Sequence, residues 1–346
     1  MSAPACPVAT YMPNDRRIGA ERDPVAIAVE VLREGGLVAL PTETVYGLAA
    51  DADNEMAVRR IFAVKGRPAS HPLIVHVAGA DALPAWARVI PDEARALAGA
   101  FWPGPLTIVL PKQPRVSHAI TGGQDTVAVR VPAHPLARSV LEQFGGGVAA
   151  PSANRFGRVS PTCAEHVRED LGDEVDYVLD GGACTVGVES TIVDLSREQP
   201  AVLRPGGLPI DDIQRVLGRR VSMRDDSAVR VPGQLASHYA PRAGIVLENR
   251  DEAVRRAEQL RSEGRRVALI AARDLGVGVP EGVTQFEVPS DSAGFARELY
   301  RLLREIDAAG FEVIVAVLPP EQGLGLAVRD RLRRASTPRD DPAEGS

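Results

Sequence analysis

The sequence predicts a two-domain α/β protein, and three observations carry that reading. The chain has 346 residues, more than one hydrophobic core usually serves, since single cores rarely grow past ~250–300 residues. Short apolar runs are interleaved with segments of helical period at uneven intervals, which predicts a mixed, twisted sheet with helices rather than a strict βαβα alternation. Around 221–242 the pattern breaks: VSMRDDSAVRVPGQLASHYAPR holds no periodicity long enough for an element and is an extended linker with a turn at Pro232-Gly233. It divides a larger unit over 20–220 from a smaller three-layer α/β unit over 243–336, and 337–346 has the composition of a disordered tail.

The first helix is predicted to start at Asp23, a good cap, with Pro24 in the first turn and Val25, Ala28, Val29 and Leu32 recurring at i, i+3, i+4 and i+7. Gly35 and Gly36 end it, and a short apolar strand follows over 37–41. Asn54 caps a second helix over 55–64, which Gly66 terminates. Further strands are predicted at 72–77, 106–110, 126–131, 148–150, 177–179, 190–195 and 201–203, with helices near 92–101, 134–144, 162–171 and 210–217. In the smaller unit, strands are predicted at 244–247, 267–271 and 313–318 and helices at 251–263 and 291–309.

Composition excludes several classes. No apolar stretch approaches the ~18 residues of a membrane helix. The N-terminus lacks the continuous apolar run of a secretory signal. Cys6, Cys163 and Cys184 are an odd number, far apart and without a C-x-x-C pair, which argues against a disulfide framework or zinc site and for the cytoplasm. A net charge of −6 means that any basic site is local. Of the 40 basic residues only Lys65 and Lys112 are lysines, a hint that each is kept for its chemistry.

Five segments can carry chemistry. PTETVYGL (41–48) packs Thr42, Glu43, Thr44 and Tyr46 into a loop at the end of the first strand, where open α/β sheets bind ligands; the alternative is a plain polar turn. KGRPASHPLIVHV (65–77) places Lys65 and Arg67 in a loop leading into a strand, with His71 and His76 beyond. Such a cation pair suits a triphosphate, or merely offsets a helix dipole. Arg130 lies in the apolar strand of TVAVRVPAHP and requires a carboxylate or phosphate partner, from substrate or from the protein itself. APSANRFGRVSPT (150–162) offers Ser152, Asn154 and Ser160 beside Gly157, while ESTIVDL and LRPGG add Ser190, Thr191 and Arg204.

This ordered set of motifs, PTETVYGL, KGRP…HPLIVHV, PSAN…GRVSPT, ESTIVDL and LRPG, resembles the YrdC-like family of threonylcarbamoyl-adenylate synthases. PGQLASHYAP (232–241) and the added C-terminal unit resemble its longer, two-domain form. Two departures are visible: His71 stands where many relatives carry Asn, and Gln234 where Met is frequent. The resemblance implies a YrdC-like twisted mixed sheet with helices, followed by a smaller Rossmann-like α/β domain. It implies synthesis of L-threonylcarbamoyl-AMP and pyrophosphate from L-threonine, bicarbonate or CO2, and ATP with Mg2+. The product would pass, through tRNA threonylcarbamoyl-transferase proteins, to the adenosine beside the anticodon. By the same resemblance Thr44, His76, Arg130, Ala150 and Ser190 hold threonine. Lys65, Arg67, His71, Thr126, Ser152, Asn154, Ser160, Arg204 and Tyr239 surround ATP, Lys65 and Arg67 being catalytic.

The linker residue Tyr239 is expected either to close over the nucleotide as a lid or to pack a domain interface. A competing class is a double-stranded RNA-binding module, which the acidic net charge disfavours except through a local arginine-rich groove. In the C-terminal unit, GLGLA (323–327) lacks the third glycine of a dinucleotide fingerprint, and RDRLRR (329–334) is expected to be a solvated basic helix face.

Overall fold

The structure is a computed structural model that describes residues 23–224, 229–234, 238–273 and 278–337; Cys6 and the expected tail beyond 337 lie outside them. Two compact units are present: residues through Phe156 together with Ser160–Gln234, and Gly157–Val159 together with the chain beyond Gln234.

The first unit runs α1 (Pro24–Arg33), β1 (Val38–Leu40), β2 (Gly47–Asp51), α2 (Glu55–Lys65), β3 (Ile74–His76), α3 (Leu83–Trp86), α4 (Asp92–Phe101), β4 (Leu106–Pro111), α5 (His118–Thr121) and β5 (Thr126–Arg130). It continues with α6 (Pro135–Phe144), β6 (Val148–Ala149), α7 (Ala164–Leu171), β7 (Tyr177–Val178), β8 (Thr191–Asp194), β9 (Ala201–Arg204), α8 (Ile210–Leu217) and β10 (Ser222–Met223). The strands form one mixed sheet in the order β10-β9-β8-β4-β5-β3-β6-β2-β1-β7, as the uneven spacing predicts.

The caps behave as their residue types require. Asp23 accepts from the Val25 amide and Asn54 from the Met56 and Ala57 amides, each satisfying amides that a helix start leaves unpaired. Gly66 ends α2 in the left-handed region at φ 62°, which fixes where Lys65 stops and the Arg67 loop begins. Alternation along β1 splits the core: Leu37 and Ala39 join the cluster with Val58, Ile61 and Leu97, whereas Val38 and Leu40 join that of Leu32, Val140 and Leu141. Helices thus cover both faces. On the central strands Ile74, Val109, Ala128 and Ile192 pack with Leu203, Val229 and Val231. Part of the expected linker is therefore a sheet partner (β10) and part is core.

The second unit runs β11 (Gly244–Glu248), α9 (Arg250–Ser262), β12 (Val267–Ala272), β13 (Thr284–Val288), α10 (Ser292–Ala308), β14 (Val313–Val317) and α11 (Gly325–Ser336). Its four strands are all parallel, ordered β11-β14-β12-β13, the Rossmann-like arrangement the resemblance implies. Ala253, Ala257 and Leu260 of α9 pack on Val267, Leu269, Val313 and Val315. One expectation is corrected. RDRLRR is not a uniformly solvated face: Val328, Arg331, Leu332 and Ala335 are buried, a spacing that puts Arg331 on the inward stripe of α11. Its guanidinium lies 5.0 Å from the centroid of the Tyr239 ring, a contact that suits a desolvated cation.

Candidate active site

The site grows from a row of side chains across adjacent strands. His76 on β3 is in register with Arg130 on β5, and Arg130 with Thr107 on β4. Paired positions share a face, so all three project from the side that carries Ile74, Ala128 and Val109. Thr107 in turn is level with Ile192 of β8, and Ile192 with Arg204 of β9. The register slips between Ile192 and Val193 so that Leu203 is an extra residue on β9, a bulge that re-aims the Arg204 side chain. The hydroxyls of Thr107 and Ser190 lie 2.7 Å apart, and Arg204 donates to the Ser190 hydroxyl at 3.2 Å and to its carbonyl at 2.8 Å.

Arg130 is 4% exposed and its partner is found within the chain. Its Nη2 donates to Glu43 Oε1 at 2.5 Å, its Nη1 to Thr44 Oγ1 at 2.9 Å and its Nε to the Gly104 carbonyl at 3.2 Å. The alternative left open for Arg130, a protein carboxylate, is therefore present. Glu43 also accepts from the Ala133 amide at 2.9 Å. Thr42 Oγ1 holds the loop in place, accepting from the Thr44 and Val45 amides and lying 2.9 Å from Thr44 Oγ1. Three of the five guanidinium donors are thus used, and one N–H each on Nη1 and Nη2 remains beyond those contacts.

His76 is buried, and its Nδ1 is a buried nitrogen without a hydrogen-bond partner among the described residues. Burial, reinforced by the Arg130 guanidinium, pulls its imidazolium down to about 3, so the ring is neutral at physiological pH. A neutral buried imidazole next to a buried cation is a polar position that a ligand can satisfy.

Lys65 and Arg67 occupy the other end of the same strands. The Lys65 ammonium, 2% exposed, donates to the Ser152 carbonyl at 2.6 Å and the Asn154 carbonyl at 2.5 Å. Burial and then the Arg67 guanidinium hold it well below the usual lysine range. Lys112, the other lysine, is likewise buried and donates to the Val116 carbonyl. Arg67 donates to the Pro72 carbonyl at 2.9 Å and lies 5.7 Å from the Phe156 ring centroid. His71 meets the same ring edge-on at 5.4 Å, and burial followed by Arg67 and Arg230 lowers its pKa.

Strand register relates the two ends. β3 and β5 are parallel with Ile74 level with Ala128, so Pro72, the acceptor for Arg67, is level with Thr126. Thr126 and Arg130 are four steps apart on β5, about 13 Å at ~3.3 Å per residue. The expected nucleotide residues Arg67, His71 and Thr126 cluster at one end, and the expected threonine residues His76, Arg130 and Thr44 at the other. Ala150 closes the flank, its amide donating to the Ile74 carbonyl at 3.0 Å, and Ser152 bridges Gly47 beside it. A Cβ on Gly47 would come within 3.2 Å of the Ala150 methyl, so a side chain there would press the loops apart. Ser160 donates to Glu189 at 2.7 Å, next to Ser190.

Tyr239 belongs to the second unit. Its ring is 1% exposed, stacked on Tyr300 at 5.8 Å and flanked by His238 and Arg331. Its φ of 62° is unusual for a non-glycine residue. Among the described residues, no group of three or more His, Cys, Asp and Glu side chains can hold a metal ion, and no helix is long and apolar enough to cross a membrane.

A family model described as "Telomere recombination", covering the Sua5, YciO and YrdC proteins, matches residues 30–206, and one described as "Threonylcarbamoyl-AMP synthase, C-terminal domain" matches 208–337. Threonylcarbamoyl-AMP synthase of Pyrococcus abyssi is 46% identical over 90% of this chain and 94% of its own length. The chain belongs to the threonylcarbamoyl-AMP synthase family.

The synthase of that name from Bacillus subtilis is 38% identical over 90% of this chain and 92% of its own. Among solved structures, P. abyssi Sua5 complexed with L-threonine superimposes with a TM-score of 0.85 at 44% identity, covering 90% of this chain and 94% of that one. The likeness extends through both units, so the two-domain form of the synthase family is the fold observed. Reading the synthase motifs along the sequence missed four residues that the structure brings into the site. Glu43, Glu189 and Phe156 lie inside the motifs but are not singled out by type, while Thr107 lies outside all of them; the relevance of all four comes from strand pairing and loop contact.

Proposed function

We propose that this protein makes L-threonylcarbamoyl-AMP and pyrophosphate from L-threonine, bicarbonate or CO2, and ATP. The observation that carries the reading is the register of β3 and β5, which sets the His76–Arg130 pair at one end of two adjacent strands and the Arg67–Thr126 level at the other. An amino acid and a polyanion can then meet between them. The threonine carboxylate takes the Nη1 and Nη2 hydrogens of Arg130 that Thr44 and Glu43 leave, a two-pronged geometry that lysine cannot reproduce. Neutral His76 accepts from the threonine, and Thr44, Ser190 and the Ala150 backbone complete that end.

The amine of threonine is the nucleophile toward CO2, so no covalent serine or cysteine is required. The carbamate oxygen attacks the α-phosphorus, the bond to the bridging oxygen breaks, and pyrophosphate leaves with the electron pair. Such transfers depend on positioning and on cations that meet developing charge. Arg67 supplies that charge directly. Lys65 holds the Ser152–Asn154 loop with two of its three donors and turns the third toward phosphate. His71, Thr126 and Asn154 complete the triphosphate end, whereas Ser160 and Arg204, which contact Glu189 and Ser190, meet the nucleotide from the threonine end. Mg2+ bound with ATP would neutralise pyrophosphate oxygens, and the donor set fits an ion carried by the phosphates rather than by a protein cage. Tyr239, packed against Tyr300 and Arg331, is the expected lid of the nucleotide.

The product then serves the threonylcarbamoyl modification of tRNA adenosine beside the anticodon, by way of partner transferase proteins in the cytoplasm. Pyrophosphate release from ATP is the test. It should require both L-threonine and bicarbonate; RNA affinity with no threonine-dependent turnover would replace the enzyme by a binding module.

A further inference from the structure

We propose that the C-terminal unit contains a second small-molecule site, for an organic anion with an apolar body, outside the carboxyl ends of β12, β13 and β14. A cavity of about 890 Å³ opens there, within the size range of ligand pockets. Open parallel sheets bind ligands at this end of their strands, and the sheet of this unit is entirely parallel. Every residue lining the cavity belongs to the second unit, and none is a residue of the site described above.

The lining has two characters. Phe295, Val317 and Pro319 offer apolar surface, while Arg250, Arg273 and Arg329 bring positive charge. Glu287 is the acidic residue of the lining and is paired with Arg273 at 2.8 Å. Charge therefore favours an anion. Arg329 is the anchor: its Nη1 donates to the Pro319 carbonyl at 2.8 Å and its Nη2 lies 3.1 Å from Glu321. Its Nε is a buried donor without a hydrogen-bond partner among the described residues. A buried N–H without an acceptor is costly, and an anionic group in the cavity relieves that cost.

The surrounding backbone is built to the same end. α9 begins at Arg250, which lines the cavity, and α11, which carries Arg329, begins at Gly325. A Cβ on Gly325 would lie 1.8 Å from the Pro320 carbonyl oxygen. Glycine is thus what lets the chain fold back from β14 into α11 and return Arg329 over Pro319. The GLGLA run, which fails as a dinucleotide fingerprint, acquires this role instead.

The probe is 8-anilino-1-naphthalenesulfonate, an aromatic body carrying one anionic group, titrated by fluorescence into the folded full-length protein in the presence of saturating ATP and L-threonine. Expected are saturable binding at one site, weakening of about tenfold in Arg329→Gln, the scale of one charged hydrogen bond, and loss of binding in Val317→Trp, which fills the cavity. Each variant should keep the hydrogen-exchange protection of the C-terminal unit and threonine-dependent pyrophosphate release, which together show that both units are folded. Displacement by 1-naphthyl phosphate or 1-naphthoate supports the site, and the stronger competitor identifies the preferred head group. Absence of saturable binding, or binding that both variants leave unchanged, overturns the proposal.

Discussion

Glu43 and Arg130 form a buried ion pair at 2.5 Å, with side-chain exposures of 9% and 5%. The pair joins a loop after the first strand to the middle of the sheet, so one interaction shapes the threonine end of the site and also holds the fold there. Removing one member of a buried pair strands the other. Glu43→Ala is expected to cost about 3–5 kcal/mol of stability, measured by urea unfolding, and Glu43→Gln, which keeps an acceptor, less.

Arg130→Lys separates substrate binding from architecture. Lysine retains charge but not the planar fork, so the threonine KM should rise much more than the ATP KM. Steady-state pyrophosphate release with each substrate varied provides the comparison; equal effects on both would make Arg130 an architectural residue alone.

At the opposite end, Arg67→Ala and Lys65→Ala should each lose ~1.5–3 kcal/mol of transition-state stabilisation, the scale of charged hydrogen bonds. Lys65→Ala also frees the Ser152 and Asn154 carbonyls that Lys65 now holds. Its effect should therefore include a weaker ATP KM, read from the same assay.

His76 gives the stability curve an acid limb. Its folded pKa is about 3 against an ordinary value of 6.5, so between these values the unfolded chain binds a proton that the native state does not. Stability contributed by the neutral ring is complete above the upper value and falls as pH drops toward the lower one, by at most ~1.4 kcal/mol per pH unit. His76→Gln should flatten that limb in urea melts from pH 7 to pH 4, with little change of slope above pH 7.

Tyr239 is one of the largest sealed side chains in the second unit. Tyr239→Ala is expected to cost about 3–5 kcal/mol, as for other large buried aromatics, seen as earlier loss of the C-terminal unit in hydrogen exchange. Tyr239→Phe keeps the stack on Tyr300 and should restore most of that stability.

Much of this architecture was legible because burial leaves a periodic trace. The Asn54 cap, the Gly66 stop and the apolar runs of β4, β5, β8 and β12 are local signals, and each is an element in the structure. β2 (Gly47–Asp51) was hidden because GLAAD has little strand propensity; it is extended because β1 and β6 pair with it on both sides. β13, with its short, half-polar TQFEV, was hidden for a similar reason. Within the site, the basic and hydroxyl residues stand out by type, but Arg130 and Glu43 are 87 residues apart, and nothing local says that they meet. Arg331 misled because its neighbours in RDRLRR are charged, although Val328, Leu332 and Ala335 place it on the inward stripe.

The claim beneath these predictions is that threonine and ATP lie end to end along β3 and β5. A crystal structure with L-threonine and a non-hydrolysable ATP analogue measures it directly. The account predicts the threonine carboxylate on Arg130 beside His76 and the triphosphate against Lys65 and Arg67. Threonine bound away from Arg130, or a triphosphate that touches neither Lys65 nor Arg67, would contradict it.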